Sequence, residues 1–370
     1  MRPHLPFRSW LTRPATNTTE FYDNEMCNFA NTRTETTTNS KLKGMSQMSL
    51  PQLLRDNLAL PVIGSPMFIV STPDLVIEQC KAGIVGSIPA LNARPADFLG
   101  EWLERITTEL AAYKQANPEK KVAPFAVNQI VHSSNNRLQH DIDVCMKYKV
   151  PIQITSLRAP DAVVEAAHSY GGLVFHDITN IAHAKRALEA GVDGLILVCN
   201  GAGGHAGTLS PFALVPEVRA FYDGTIILSG SIANGGSILA AQAVGADLAY
   251  MGTYFIAAKE ANATPEYKQA LTESTAADIV YTNLFTGVHG NYLKKSIVNA
   301  GLDPENLPVA DKSAMNFGSG GNQKAKAWRD IWGAGQGTGQ ISGVASAAEL
   351  VARLAEEYQA ARQRLCAGLG

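Results

Sequence analysis

The chain has 370 residues, 46% of them hydrophobic and 17% charged, enough apolar material to bury one large core. A formal net charge of -2 supplies no broad basic field, which argues against nucleic acid and anionic membranes as partners. The five cysteines (Cys27, Cys80, Cys145, Cys199 and Cys366) are odd in number and scattered without a C-x-x-C pair, so neither a disulfide framework nor a structural zinc site is indicated, and no metal is expected.

Residues 1–47 are rich in Thr, Asn and Arg and lack a sustained apolar period. They read as a disordered extension or as a start assigned too far upstream, with Met45 or Met48 opening the chain just before the folded pattern. No later apolar run approaches the ~18–20 residues that span a bilayer, and the expected compartment is the cytoplasm. From residue 58, short β-branched runs alternate with amphipathic stretches, the pattern of repeated βα units. The predicted strands are Pro61–Gly64, Ile84–Ser87, Pro124–Asn128, Ile152–Thr155, Leu173–His176, Gly194–Val198, Thr225–Ser229 and Leu248–Met251. Between them lie helix-forming stretches such as Ala162–Ser169, Ala182–Ala190 and Gly236–Val244. Eight such units predict an α/β fold of the TIM (β/α)8 type over residues 58–253. The register then breaks, and 254–340 reads as a smaller, mostly helical insertion domain over the barrel mouth. It includes the glycine-dense stretch Asn316–Gly321. Residues 341–370 return to the barrel as a last helix, with Ser346 as its cap and Glu349 three residues on.

The candidate chemistry sits at predicted strand ends, where a parallel α/β protein gathers its loops. After the sixth strand comes Gly201-Ala-Gly-Gly-His-Ala-Gly207, one histidine among four glycines. The glycines permit close backbone approach to a flat ligand, and His205 titrates near neutrality, which makes it the predicted catalytic residue. His168 and His183, in helical stretches, read as structural. Two turns after the last strands, Ser229-Gly230-Ser231 and Met251-Gly252-Thr253, each pair a glycine with a hydroxyl and suit a phosphate. No G-x-G-x-x-G opens a βαβ unit, which disfavours a dinucleotide fold. Pro66 and Met67 follow the first strand where a flat ring can rest, with Thr72 as a cap for the next helix. Asn128, Gln153 and Asp177 lie at later strand ends, and amides match the donor and acceptor edge of a flavin pyrimidine. Gln336, between Gly335 and Gly337, is a further contact candidate. In the insertion, Tyr254, Tyr281, His289, Tyr292, Lys294, Lys295, Trp328 and Trp332 could form a lid over an anionic substrate.

Pro66-Met67, Pro124-Phe-Ala-Val-Asn128, Gly191-Val-Asp-Gly194, Gly203-Gly-His-Ala-Gly207, Ser229-Gly230, Met251-Gly-Thr253 and Ile331-Trp-Gly-Ala-Gly-Gln-Gly337 together resemble the nitronate monooxygenase family, formerly called 2-nitropropane dioxygenases. The resemblance runs from about residue 58 to the carboxyl terminus. It implies an FMN-binding TIM barrel, with the FMN phosphate held by the loops at Gly230–Ser231 and Gly252–Thr253, and with Gly204 and Gly207 flanking His205 beside the flavin. Two positions depart from the family pattern: Asp177 stands where many members carry Lys, and Cys199-Asn200 replaces a more acidic or aromatic approach to the glycine loop.

The activity implied is oxidation of alkyl nitronates by O2 to a carbonyl compound and nitrite, with His205 as base. Related barrels act instead as NAD(P)H-dependent reductases of quinones or enoyl thioesters, and that alternative stays open. So does a flavin-binding sensor without turnover. The expected partners are therefore a small-molecule substrate, O2 and, in the alternative, NAD(P)H, with a homodimer as the compatible oligomer.

Overall fold

The structure is a computed structural model that describes residues 50–310 and 330–368. The expectations for residues 1–47, for Asn316–Gly321 and for Trp328 lie outside the described residues. Eleven strands follow in chain order among the described residues: β1 (Val62–Gly64), β2 (Gly86–Pro89), β3 (Phe125–Val131), β4 (Ile152–Leu157), β5 (Leu173–Ile178), β6 (Gly194–Val198), β7 (Gly204–His205), β8 (Thr225–Ser229), β9 (Leu248–Met251), β10 (Ile279–Thr282) and β11 (Gly290–Leu293).

Eight of them form one parallel sheet in the order β1-β9-β8-β6-β5-β4-β3-β2. A parallel bridge between Ile63 and Val85, the residue before β2, joins its two edges. This is the predicted TIM barrel, with helices between successive strands.

Because side chains alternate across a strand, each strand contributes one set of residues to the barrel interior and another to the helix layer. The interior set is Ile63, Ala126, Ile152, Ile154, Phe175, Ile196, Ile227 and Leu248, all buried together. The opposite phase packs outward: Val62 and Ala249 lie in one helix-facing cluster, Val174, Leu195, Leu197 and Ile226 in a second, and Val127 in a third. Strands buried on both faces need apolar residues in both phases, so their sequences read as continuous runs rather than alternations.

The helices follow the sequence closely, at Asp161–His168, Ile181–Glu189 and Gly235–Val244. The last helix, Ala347–Ala367, starts with the predicted capping box: the Ser346 side chain accepts from the Glu349 amide and the Glu349 carboxylate accepts from the Ser346 amide at 2.8 Å. It packs against Gly235, where an added Cβ would meet the Tyr358 amide nitrogen at 2.1 Å. Thr72 does occupy the N-cap of helix Pro73–Lys81, but its side chain makes no capping bond. There the nearby hydroxyl of Ser71 instead accepts from the Met67 amide at 3.0 Å.

Between β9 and the last helix, the segment expected to be mostly helical also carries strands. Short helices are present at Pro265–Thr272 and Lys294–Asn299, but β10 and β11 form an antiparallel hairpin. Its sequences, Ile-Val-Tyr-Thr and Gly-Asn-Tyr-Leu, are rich in the β-branched and aromatic residues that favour strands. β11 pairs in turn with β7, setting Gly290 opposite His205 and Asn291 opposite Gly204. The glycine-histidine segment is therefore a sheet strand.

Candidate active site

A cavity of about 710 Å³ opens at the carboxyl ends of the barrel strands. Strand alternation decides which polar side chains reach it. Continuing the interior phase outward along each strand gives Asn128 after Ala126, Ser156 after Ile154, Asp177 after Phe175, Ser229 after Ile227 and Tyr250 after Leu248, and all five line the cavity. Pro66, Met67, Gly204, His205, Gly230, Ser231, Gly252 and Thr253 line it too.

Four predicted residues are not part of that lining. Gln153 is in the opposite phase, and its amide nitrogen donates to the Tyr170 hydroxyl at 3.1 Å in the helix layer. Met251 is likewise out of phase and packs its side chain with Val62 and Ala249, while its carbonyl accepts from the Ser65 amide at 2.9 Å. Gly207 sits behind the wall, its amide donating to the Val198 carbonyl at 3.1 Å. Gln336 is exposed, and its amide donates to the Gly201 carbonyl at 2.9 Å.

The glycine end of the cavity is built by close backbone crossings. An added Cβ on Gly203 would meet the Gly335 amide nitrogen at 2.8 Å and Thr253 Oγ1 at 2.9 Å. Gly204 and Gly230 have φ of 68° and 133°, the left-handed region that a side chain disfavours. Ser231 follows with φ of 56°, so the chain curls at the end of β8 into the concave backbone shape that suits an anion. This end fits the phosphate of a planar cofactor, and the polar wall of β3–β5 lies elsewhere on the same cavity for its ring.

His205 is held by the hairpin. The Ala206 amide donates to the His289 carbonyl at 3.2 Å, the Tyr281 hydroxyl to the Ala206 carbonyl at 3.0 Å, and buried Asn291 Nδ2 to the Ala202 carbonyl at 2.6 Å. His205 Nε2 lies 3.0 Å from Thr286 Oγ1, which gives its own proton to the Val288 carbonyl at 2.9 Å. Thr286 Oγ1 also accepts from the Val288 amide at 3.1 Å, so this hydroxyl ties the ring to the hairpin turn. The imidazole is half-buried, and its burial in the cavity wall lowers its pKa to about 4. It is therefore neutral at physiological pH.

On the β3–β5 wall, Asp177 Oδ2 accepts from Ser156 Oγ at 2.6 Å, and Ser156 accepts from Asn128 Nδ2 at 3.0 Å. Asp177 Oδ1 is buried without a hydrogen-bond partner. Burial pushes the carboxyl up to about 7, against the smaller downward pull of the Ser156 bond.

Of the expected lid residues, His289 and Trp332 line the cavity, joined by Tyr267, which stacks on Trp332 at 4.9 Å between ring centroids. Tyr254 and Tyr292 are buried, and Tyr281 stacks on His289 at 5.1 Å. Lys294 and Lys295 pair with Glu305 and Glu273 at 2.6 and 2.8 Å on the surface, away from the lining. The structure also brings in residues that pattern reasoning passed over: Ser156, Tyr250, Arg94 and His183. The first two share the interior phase of their strands, a signal present in the sequence. His183, read as structural, reaches the rim from the first turn of helix Ile181–Glu189. Arg94, over the Phe68 ring at 5.2 Å, comes from an irregular loop after β2 and carried no signal.

Comparison with known proteins agrees with this architecture. A family model described as nitronate monooxygenase matches residues 53–357. A nitronate monooxygenase of Paraburkholderia phytofirmans is 27% identical over 82% of this chain and 94% of its own length. Among solved structures, a nitroalkane oxidase of Streptomyces ansochromogenes is 25% identical with a TM-score of 0.69, covering 85% of this chain and 99% of that one. FabK of Thermotoga maritima shares the fold at 23% identity, with a TM-score of 0.66 over 85% of this chain and 96% of that one. The matched model spans the barrel, the His205 strand and the hairpin that holds it, and on that ground the chain belongs to the nitronate monooxygenase family of oxidoreductases.

Proposed function

We propose that the chain oxidises small alkyl nitronates, of the propionate 3-nitronate type, with FMN as cofactor and O2 as oxidant, giving a carbonyl compound and nitrite. The observation that carries this reading is a neutral imidazole, bonded to Thr286, on one side of a cavity whose other parts offer a phosphate-shaped glycine end and a polar wall. FMN, when bound, supplies the electron acceptor for the substrate and the route of those electrons to O2. Gly230–Ser231 and Gly252–Thr253 would hold the phosphate. Pro66 and Met67 would support the ring, and Asn128, Ser156 and Asp177 would meet its polar edge. Ser229 closes the strand end beneath the phosphate loop.

His205 stands in the cavity wall beside the substrate. A pKa of about 4 makes it a weaker base than free imidazole. That weakness supports the preformed nitronate anion as the substrate over the neutral nitroalkane, which would require proton removal from carbon. Arg94 at the rim offsets the charge of the arriving anion.

A second reading, an NAD(P)H-dependent reductase of quinones or enoyl thioesters, is favoured by the size of the cavity and by the apolar residues of its outer part, Ile69, Ile130, Leu157 and Ile256. Both readings are tested by mixing the purified yellow protein anaerobically with propionate 3-nitronate and, in parallel, with NADH or NADPH, while following flavin absorbance. Bleaching by nitronate supports the first reading. Bleaching by the nicotinamide alone replaces it with the second.

A further inference from the structure

The β3–β5 wall holds a titratable group that the proposed oxidation does not use. Ser156 Oγ has one proton and two lone pairs. Asn128 Nδ2 fills one lone pair at 3.0 Å and also donates to the Ile154 carbonyl at 3.3 Å; a carbonyl can only accept, which fixes the orientation of the amide. Asp177 Oδ2 lies 2.6 Å from the same hydroxyl, and Asp177 Oδ1 is buried with no partner. Two proton arrangements satisfy these contacts without leaving a buried donor unpaired, as a proton on Asp177 Oδ1 would. With Asp177 ionised, Ser156 must give its proton to the carboxylate, and the cavity meets only a lone pair. With Asp177 protonated on Oδ2, the acid donates into the second lone pair of Ser156, and the Ser156 proton is released toward the cavity.

We propose that Asp177 and Ser156 form a specificity pair in which one proton on Asp177 converts the Ser156 hydroxyl from acceptor to donor toward the imide edge of a bound flavin ring. The inference rests on the flavin reading and deepens it: the pair selects ligand forms that present a carbonyl oxygen or an unprotonated ring nitrogen to Ser156. Binding such a form to ionised Asp177 takes up one proton from solvent. Burial, which already pushes Asp177 up to about 7, puts the exchange within the physiological range.

The other groups around Asp177 do not supply this switch. Tyr250 faces it from β9, but burial and then Asp177 itself hold that phenol well above its ordinary value. His176 on the same strand points outward, 2.8 Å from Thr155 Oγ1. His205 on β7 titrates near 4, and β6 presents Val198. His183 at the rim is left in place in every variant below and so cancels from the comparison.

The test is titration of the apo-protein with FMN and with riboflavin, followed by flavin fluorescence between about pH 6 and pH 8, for the wild type, Asp177→Asn and Ser156→Ala. Riboflavin lacks the phosphate, so its pH dependence cannot come from phosphate ionisation. The wild type is expected to bind both flavins up to about tenfold more weakly at the upper pH. Asp177→Asn, whose amide donates to Ser156 at every pH, should bind with nearly constant affinity, and Ser156→Ala should lose the low-pH advantage.

The melting temperature of the ligand-free protein gives a second readout. Between 3.8 and about 7 the folded state keeps a proton that the unfolded chain has lost, so wild-type stability falls as pH rises through that window and stays lower above it. Asp177→Asn should therefore melt higher than the wild type at about pH 8. Flat flavin binding in the wild type, an unchanged pH slope in Asp177→Asn, or no melting gain at the upper pH overturns the inference. Failure of both flavins to bind at any pH overturns the flavin reading and this inference with it.

Discussion

Two walls of the cavity are made in different ways. Asn128, Ser156 and Asp177 stand on neighbouring barrel strands whose register pairs Asn128 with Ile154 and Ile130 with Ser156. Their positions follow from sheet hydrogen bonds and from the alternation that puts Ala126, Ile154 and Phe175 beneath them. The His205 wall is assembled from segments far apart in the chain. β7 is two residues long and is held by β11, by Asn291 and by the backbone of Gly333–Gly335, which crosses the glycine loop. The first wall is a property of the barrel; the second depends on a hairpin docking about 85 residues downstream. Glycines at the second wall make room for crossing backbones, and the histidine they surround is held in a sheet.

The sharpest way to break this comparison is His205→Ala. Turnover with nitronate is expected to fall about 10²-fold, through loss of the side chain that shapes the wall beside the substrate, while flavin binding and melting temperature stay near wild type. Loss of flavin binding instead would make His205 part of the scaffold. Next in size is Gly290→Ala, whose Cβ would sit 2.7 Å from the Gly204 carbonyl oxygen, so β7 and β11 must separate. Chemical denaturation should register about 1–3 kcal/mol of lost stability, and turnover should drop with it; no change in either would show that the hairpin does not hold His205. Thr286→Val removes the hydroxyl that bonds the ring, and about a tenfold loss in kcat at unchanged KM is expected. A matching rise in KM would mean that Thr286 contacts substrate rather than orienting the ring. The smallest effect belongs to Lys295→Ala, because the pair with Glu273 is exposed: stability should stay within about 0.5 kcal/mol and nitronate KM unchanged. A raised KM would return Lys295 to the lid.

The barrel was legible because its signals are local. Short β-branched runs, helix-forming spacers and the Ser346–Glu349 cap act within a few residues, and each appears close to where it was expected, the second strand two residues later at Gly86–Pro89. Glycines beside hydroxyls at strand ends led in the same way to Ser229–Ser231 and Gly252–Thr253, which do line the cavity. Gln153 and Met251 failed for a reason that is also local: each lies one residue out of phase with the interior set, so its side chain enters the helix layer. Strands buried on both faces hide that phase, since both of their sides are apolar. Ser156 went unnoticed because the predicted strand stopped one residue short of it.

The sequence by itself determined the eightfold βα pattern, the glycine-rich turns at strand ends and the presence of one histidine among them, because periodicity and backbone freedom are written residue by residue. The tertiary structure alone decided that His205 is a strand residue bonded to Thr286, that Asp177 is half-hidden with an unpartnered oxygen, and that Arg94 and His183 share the cavity. Burial, hydrogen bonding and proton affinity arise from what surrounds a group in space, and those surroundings come from segments tens of residues away in sequence.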